Sequence, residues 1–307
     1  MGMKNTWFVL FWFAAVLIAC THEKSPGEEH VHTSLILYPG HSPLTRAASP
    51  DEDKLTDCNI LVFNAYGDLE QQYYLSIRDT LRCSLELLKD VPYTFLAAAN
   101  LGYKLPAMTL AEARQYRYHM AYPDEYSRGL PMAALAQNQL PAEKLELHLE
   151  RLMARLDLRL DRRKMEEDAL MKVTEVTIGL CPQSATLFPG SGVETVTQSF
   201  SRGFTLRGNE LDALNRDMPD ALSGIASLYL LENCSQQHPS YIEIKAEYHS
   251  ADFHTDPGEP LTYRFPLGDI VRNTVYPVTV LIELNQDRPG ISGVRTSSGG
   301  CRWRGPV

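Results

Sequence analysis

The sequence has no excess of positive charge: 29 Lys and Arg face 38 Asp and Glu, for a formal net charge of −9. Nothing in that balance would neutralise a phosphate backbone, which disfavours a nucleic-acid partner, and none is expected. It also has no GxSxG, HExxH, P-loop or GxGxxG motif, so the usual signatures of hydrolases, metalloproteases and nucleotide-binding enzymes are missing. None of the six cysteines forms a CxxC pair, and structural zinc is not expected. The nine histidines are scattered. His30 and His32 are close together, but a flexible pair of this kind is read as solvated. Glu166, Glu167 and Asp168 are adjacent acids, whereas acid–base catalysis needs opposed groups with separated pKa values. No enzyme, cofactor or metal centre is expected. The apolar run Trp7–Ile18 is too short to span a membrane: its 12 or so residues make roughly 18 Å of helix, and about 20 residues are needed.

That run suits an export signal instead, with the basic Lys4 before it and the small Ala19 at the cut point. Leu17-Ile18-Ala19-Cys20 resembles the lipobox of bacterial lipoproteins. The resemblance implies removal of residues 1–19, acylation of the Cys20 thiol and its new amine, and attachment to the outer membrane. Each buried acyl methylene contributes about 0.8 kcal/mol, so several chains on one residue hold a protein at a bilayer almost permanently. Residues 20–31 are polar, charged and without hydrophobic periodicity, and read as a tether. Loss of the signal removes one basic group, Lys4, and takes the net charge to −10.

The length predicts two domains, and alternation predicts that both are β. Leu81, Cys83, Leu85 and Leu87 share one strand face, while Arg82, Ser84 and Glu86 share the other. Leu145, Leu147 and Leu149, then Leu156, Leu158 and Leu160, repeat the pattern. Cys58–Asn64 and Tyr93–Asn100 read as buried strands. Thr109 with Glu112 forms a capping-box signature and predicts a helix over about 109–120. The charged run Asp161–Asp168 reads as a solvated connector. Strands resume at Val173–Ile178, Thr195–Phe204, Ala226–Leu231, Tyr241–Tyr248, Leu261–Leu267 and Val275–Leu284. The expected architecture is mainly β: an N-terminal antiparallel sandwich over 32–160 with a short helical insertion, and a C-terminal one over 161–284. Residues 285–307, rich in Gly, Ser, Arg and Pro, are expected to be a flexible tail.

Beyond Cys20, five cysteines remain, an odd number that leaves at least one unpaired. An exported chain can form disulfides, and Cys58 with Cys83 and Cys181 with Cys234 are candidate pairs within the two halves. The 15 tyrosines mostly alternate within strands and are read as core or sheet-face residues.

Several stretches, taken in order, resemble the FimB-type fimbrial anchor family of Bacteroidales, the lipoproteins of type V fimbriae. After the lipobox comes Cys58-Asn59-Ile60-Leu61-Val62-Phe63 leading to Gly67, then Tyr93–Asn100 with its alanines and Pro131-Met132. Leu149-Glu150-Arg151-Leu152-Met153-Ala154-Arg155 follows. In the second half stand Tyr229-Leu230-Leu231-Glu232-Asn233, and Leu267-Gly268 with Arg272-Asn273-Thr274-Val275-Tyr276. The resemblance implies two tandem transthyretin-like sandwiches and an outer-membrane lipoprotein that fixes the base of a fimbrium and limits its elongation. It also implies a fimbrial shaft subunit as partner, met by strand addition or docking. Related shaft subunits are cut after an Arg near the first strand, where Arg46 stands here. A cut at that point would separate lipid from fold unless the first strand stayed bound, so Arg46 is read as a loop residue. The second reading is a tip adhesin or another surface lipoprotein that binds a ligand or glycan.

Overall fold

The structure, a computed structural model, describes residues 29–39, 50–77, 82–120, 129–165, 170–188, 200–201, 205–215, 222–249, 258–285 and 288–296. Residues 1–19, expected to be an export signal, and Cys20, Arg46, Glu166–Asp168 and the residues beyond 296 lie outside them.

The first half holds β1 (His30–Pro39), β2 (Asp57–Phe63), β3 (Leu69–Ser76), β4 (Arg82–Leu88), β5 (Tyr93–Ala99), β6 (Arg117–His119), β7 (Met132–Gln139) and β8 (Lys144–Arg151). All of them but β6 form one sheet in the order β3-β2-β5-β7-β8-β1-β4, in which β7 and β8 are joined through two residue pairs. Alternation works as expected on β4, where Cys83, Leu85 and Leu87 are buried and the residues between them are exposed. β2 is buried on both faces because the chain after β5 folds over it. The Asn59 side chain accepts from Leu105 N at 2.8 Å and donates to the Tyr103 carbonyl at 3.0 Å.

The second half holds β9 (Met153–Lys164), β10 (Leu170–Gly179), β11 (Cys181–Pro182), β12 (Ser184–Thr186), β13 (Phe200–Ser201), β14 (Thr205–Leu206), β15 (Ala226–Leu231), β16 (Tyr241–His249), β17 (Glu259–Pro266), β18 (Val275–Asn285) and β19 (Arg288–Thr296). Its main sheets are β15-β9-β18-β19 and β14-β10-β16-β17. Each half has its own hydrophobic core.

The halves share one topology. β1 lies antiparallel to β4 and parallel to β8, as β9 lies antiparallel to β15 and parallel to β18. The chain β3-β2-β5-β7 matches β14-β10-β16-β17. Among the described residues, the place of β19 beside β18 is matched in the first half only by the two residue pairs between β7 and β8.

Several expectations need correction. The sheets are not wholly antiparallel, since β1–β8 and β9–β18 are parallel pairs. The second half starts at β9, near residue 153 rather than 161: Ala154, Leu156, Leu158 and Leu160 all belong to its core. Alternation showed their buried face but not which core it meets. The charged run begins as strand, not connector, because Asp161 and Arg163 lie on the same face and pair at 2.6–2.8 Å. The end of the stretch expected as a tether, 20–31, overlaps β1, which begins at His30 and takes in both His30 and His32. The helix α1 covers Leu110–Gln115 with both capping-box bonds present, and the chain then extends into β6. Within Thr195–Phe204, β13 covers Phe200–Ser201 alone among the described residues. The supposed tail supplies β19, paired along β18 from Asn285↔Arg288 to Val278↔Thr296. An edge strand is held by main-chain bonding, which an apolar-run criterion does not detect.

Candidate functional site

The crossing between the halves is one residue long. β8 ends at Arg151, β9 starts at Met153, and Leu152 between them is fully buried and donates its N–H to Pro131 O at 2.9 Å. Two arginines flank this point, Arg151 at the end of β8 and Arg155 in β9.

Their partners come from a short 3-10 turn, Pro50–Asp53, just before β2. Asn100, in the left-handed region at φ 61°, holds the chain beside it. Its amide donates to Lys54 O at 2.8 Å and Leu130 O at 2.7 Å, and its oxygen accepts from Thr56 N at 2.8 Å. Gly129 closes the arrangement at φ 112°, where a Cβ would fall 2.6 Å from both the Asn100 amide and the Lys54 carbonyl. The turn then presents Glu52 and Asp53 to the arginines. Arg151 Nη2 binds Asp53 Oδ1 at 2.5 Å. Glu52 Oε1 accepts from Arg155 Nη1 and from Tyr229 Oη, each at 2.7 Å. Arg155 Nη2 reaches Asp157 at 3.0 Å, which in turn accepts from Ser227 at 2.7 Å. The side chains of Glu52 and Arg151 are 6% and 5% exposed, so this network is screened little by solvent. Burial pushes the Arg155 guanidinium down, but Glu52 and Asp157 together hold it above its ordinary value.

A second clamp lies beside the first. β12 of the second half pairs with β6 of the first, and Arg117 on β6 donates to the Ser184 hydroxyl at 2.9–3.1 Å. Ala185, Leu187, Phe188 and Leu231 pack into the first half's core. Arg272 donates to Thr186 O at 2.7 Å and forms an ion pair with Glu232, with one bond from Nε at 2.9 Å. Asn233 and Ile270 exchange backbone bonds at 2.8 and 2.9 Å, which sets Arg272 opposite Glu232.

Several of the stretches quoted for the family resemblance therefore meet here: Asn100, Arg151 with Arg155, Tyr229 with Glu232, and Arg272 come from four separate parts of the sequence and line the junction. Glu52 and Asp53 were not singled out by sequence, because acids before a strand carry no signal of burial. The expected pairs Cys58–Cys83 and Cys181–Cys234 are not joined as disulfides in this structure. Cys58 and Cys83 lie in the first core, Cys181 is in the second, and Cys234 is exposed. His148 stacks on Tyr38 at 5.3 Å between ring centroids. Among the described residues no cluster of His, Cys, Asp and Glu is suited to a metal, and no helix is long and apolar enough to cross a membrane. At the junction, opposite charges face each other directly.

No known protein family's sequence profile matches the chain, and no curated protein matches it. Solved structures do. A protein of Bacteroides eggerthii named for cell adhesion superposes with a TM-score of 0.62 at 15% identity, over 90% of this chain and 97% of that one. A fimbrilin of Porphyromonas gingivalis gives 0.59 at 14% identity, over 82% and 90%. The tip fimbrial protein Mfa3 of the same organism, truncated at its C-terminus, gives 0.57 at 14% identity, over 90% and 100%. The fold is that of these fimbrial and adhesion proteins.

Proposed function

We propose that this chain is a surface lipoprotein that holds the base of a fimbrium to the outer membrane through Cys20 and ends the polymer there. The observation that carries this reading is the seat of β1, the strand that follows the tether. It lies between β4 and β8, paired at seven positions on one side and six on the other. Leu35 and Leu37 point into the core at 0% and 3% exposure. In polymers built by strand addition, a neighbour's strand fills an open groove. Here the central slot is filled by the chain's own lipid-proximal strand, which suits a terminal subunit. A pull on the tether would load both ladders along the strand, so their hydrogen bonds would have to yield together. We read the two halves as transthyretin-like sandwiches and a fimbrial shaft subunit as the partner.

Replacing the thiol tests the reading. With Cys20→Ala, labelled fatty acid no longer enters the protein and fimbriae are shed into the medium. Fimbriae that stay attached would overturn it. The likeness to a tip fimbrial protein favours a second reading, a tip adhesin, which immunogold labelling separates: gold at the base supports the anchor, and gold at the tip supports the adhesin.

A further inference from the structure

Two polar atoms at the junction are enclosed and have no protein partner: Arg155 Nε, a donor, and Asn273 Oδ1, an acceptor. Both side chains line one small cavity, walled also by Glu52, Arg151 and Met153. The backbone brings them together. Asn273 donates its N–H to Met153 O at 3.1 Å, and Arg155 donates to Thr274 O at 2.9 Å. Asn273 sits in the left-handed region at φ 54°, where asparagine is tolerated better than most residues. The terminal nitrogens of Arg155 are already engaged by Glu52 and Asp157, and Nε is the nitrogen left without a protein partner.

A buried donor or acceptor without a partner costs about 1–3 kcal/mol, and a buried water that bonds several such groups removes that cost. The cavity leaves about 10 Å³ for a water-sized sphere. One water needs about 10–15 Å³ by that measure, so a single molecule is at the limit of the space and anything larger is excluded. We propose that the junction is a water-binding site, in which one ordered water accepts from Arg155 Nε–H and donates to Asn273 Oδ1. The walls come from both halves, Glu52, Leu130 and Arg151 from the first and Arg155, Asn273 and Thr274 from the second, so the water would join the two.

The test uses the mature full-length protein and water-oxygen magnetic relaxation dispersion, which counts long-lived internal waters. Asn273→Gly removes the acceptor and keeps the positive φ at no steric cost. The expected result is one long-lived water fewer in the variant than in the unmodified protein; equal counts overturn the proposal. A high-resolution crystal structure of the unmodified protein decides the matter even if the variant does not fold. Density within hydrogen-bond distance of both atoms supports the site, and a dry cavity overturns it.

Discussion

Thr33 faces the first core from the middle of β1 with 0% exposure, and its hydroxyl has no partner. Valine has nearly the same shape and the same β-branched preference for a strand, and it carries no group to leave unsatisfied. Thr33→Val is expected to stabilise the protein by about 1 kcal/mol, seen as a rise of a few degrees in the thermal midpoint. A fall would mean that the hydroxyl is bonded after all. The buried thiols make the opposite demand. Burial pushes both Cys58 and Cys181 up from 9.0 to about 12, with Asp57 adding to the effect at Cys58. In the unfolded chain these thiols ionise near 9, while in the folded chain they stay neutral until about 12. Their contribution to stability is therefore complete below pH 9 and is lost as pH rises toward 12. Denaturation midpoints should fall across that window, and the double variant Cys58→Ala, Cys181→Ala should show a shallower alkaline slope from a lower starting stability. An unchanged slope would count against the assignment.

Single elements carry different consequences. β19 covers one edge of β18 over eight register positions, whereas in the first half β7 meets β8 through two. Uncovered edges are templates for pairing with another chain. A chain ended after Asn285 should keep its β-rich circular dichroism yet associate with increasing concentration, read by size-exclusion chromatography with light scattering. A truncated chain that stays monomeric would show that the β18 edge needs no cover. Strand character was largely legible in the sequence: β4, β5, β8, β15, β16 and β18 lie close to where alternation put them. β19 was missed because its pairing is carried by the backbone. The helix was overextended because the Thr109–Glu112 box marks where a helix begins, and nothing in the sequence marked its end at Gln115.

For the whole molecule, the decisive feature is a joint with a one-residue crossing, two polar clamps and shared apolar contacts. Removing the acid at its centre should expose how much it matters. Glu52→Ala leaves Arg155 and Arg151 facing a buried site with fewer counter-charges, and breaking a buried pair in this way typically costs about 3–5 kcal/mol. The expected outcome in urea is a lower midpoint, with the single transition splitting into two as the halves lose their coupling. One unshifted transition would show that the apolar contacts suffice to join them. Glu52→Gln, which retains an acceptor oxygen, should lose less.

By itself, the sequence determined the β-rich character, the buried faces of most strands and the negative charge, because each of these is written in local spacing and composition. Tertiary structure alone decided the parallel pairings of β1 with β8 and β9 with β18, the boundary at Leu152, the state of the cysteines and the junction built around Glu52. These depend on which distant residues become neighbours. A strand's period tells which side is buried but is silent about the partner it is buried against, and an acid's identity gives no sign that two arginines about a hundred positions away will enclose it.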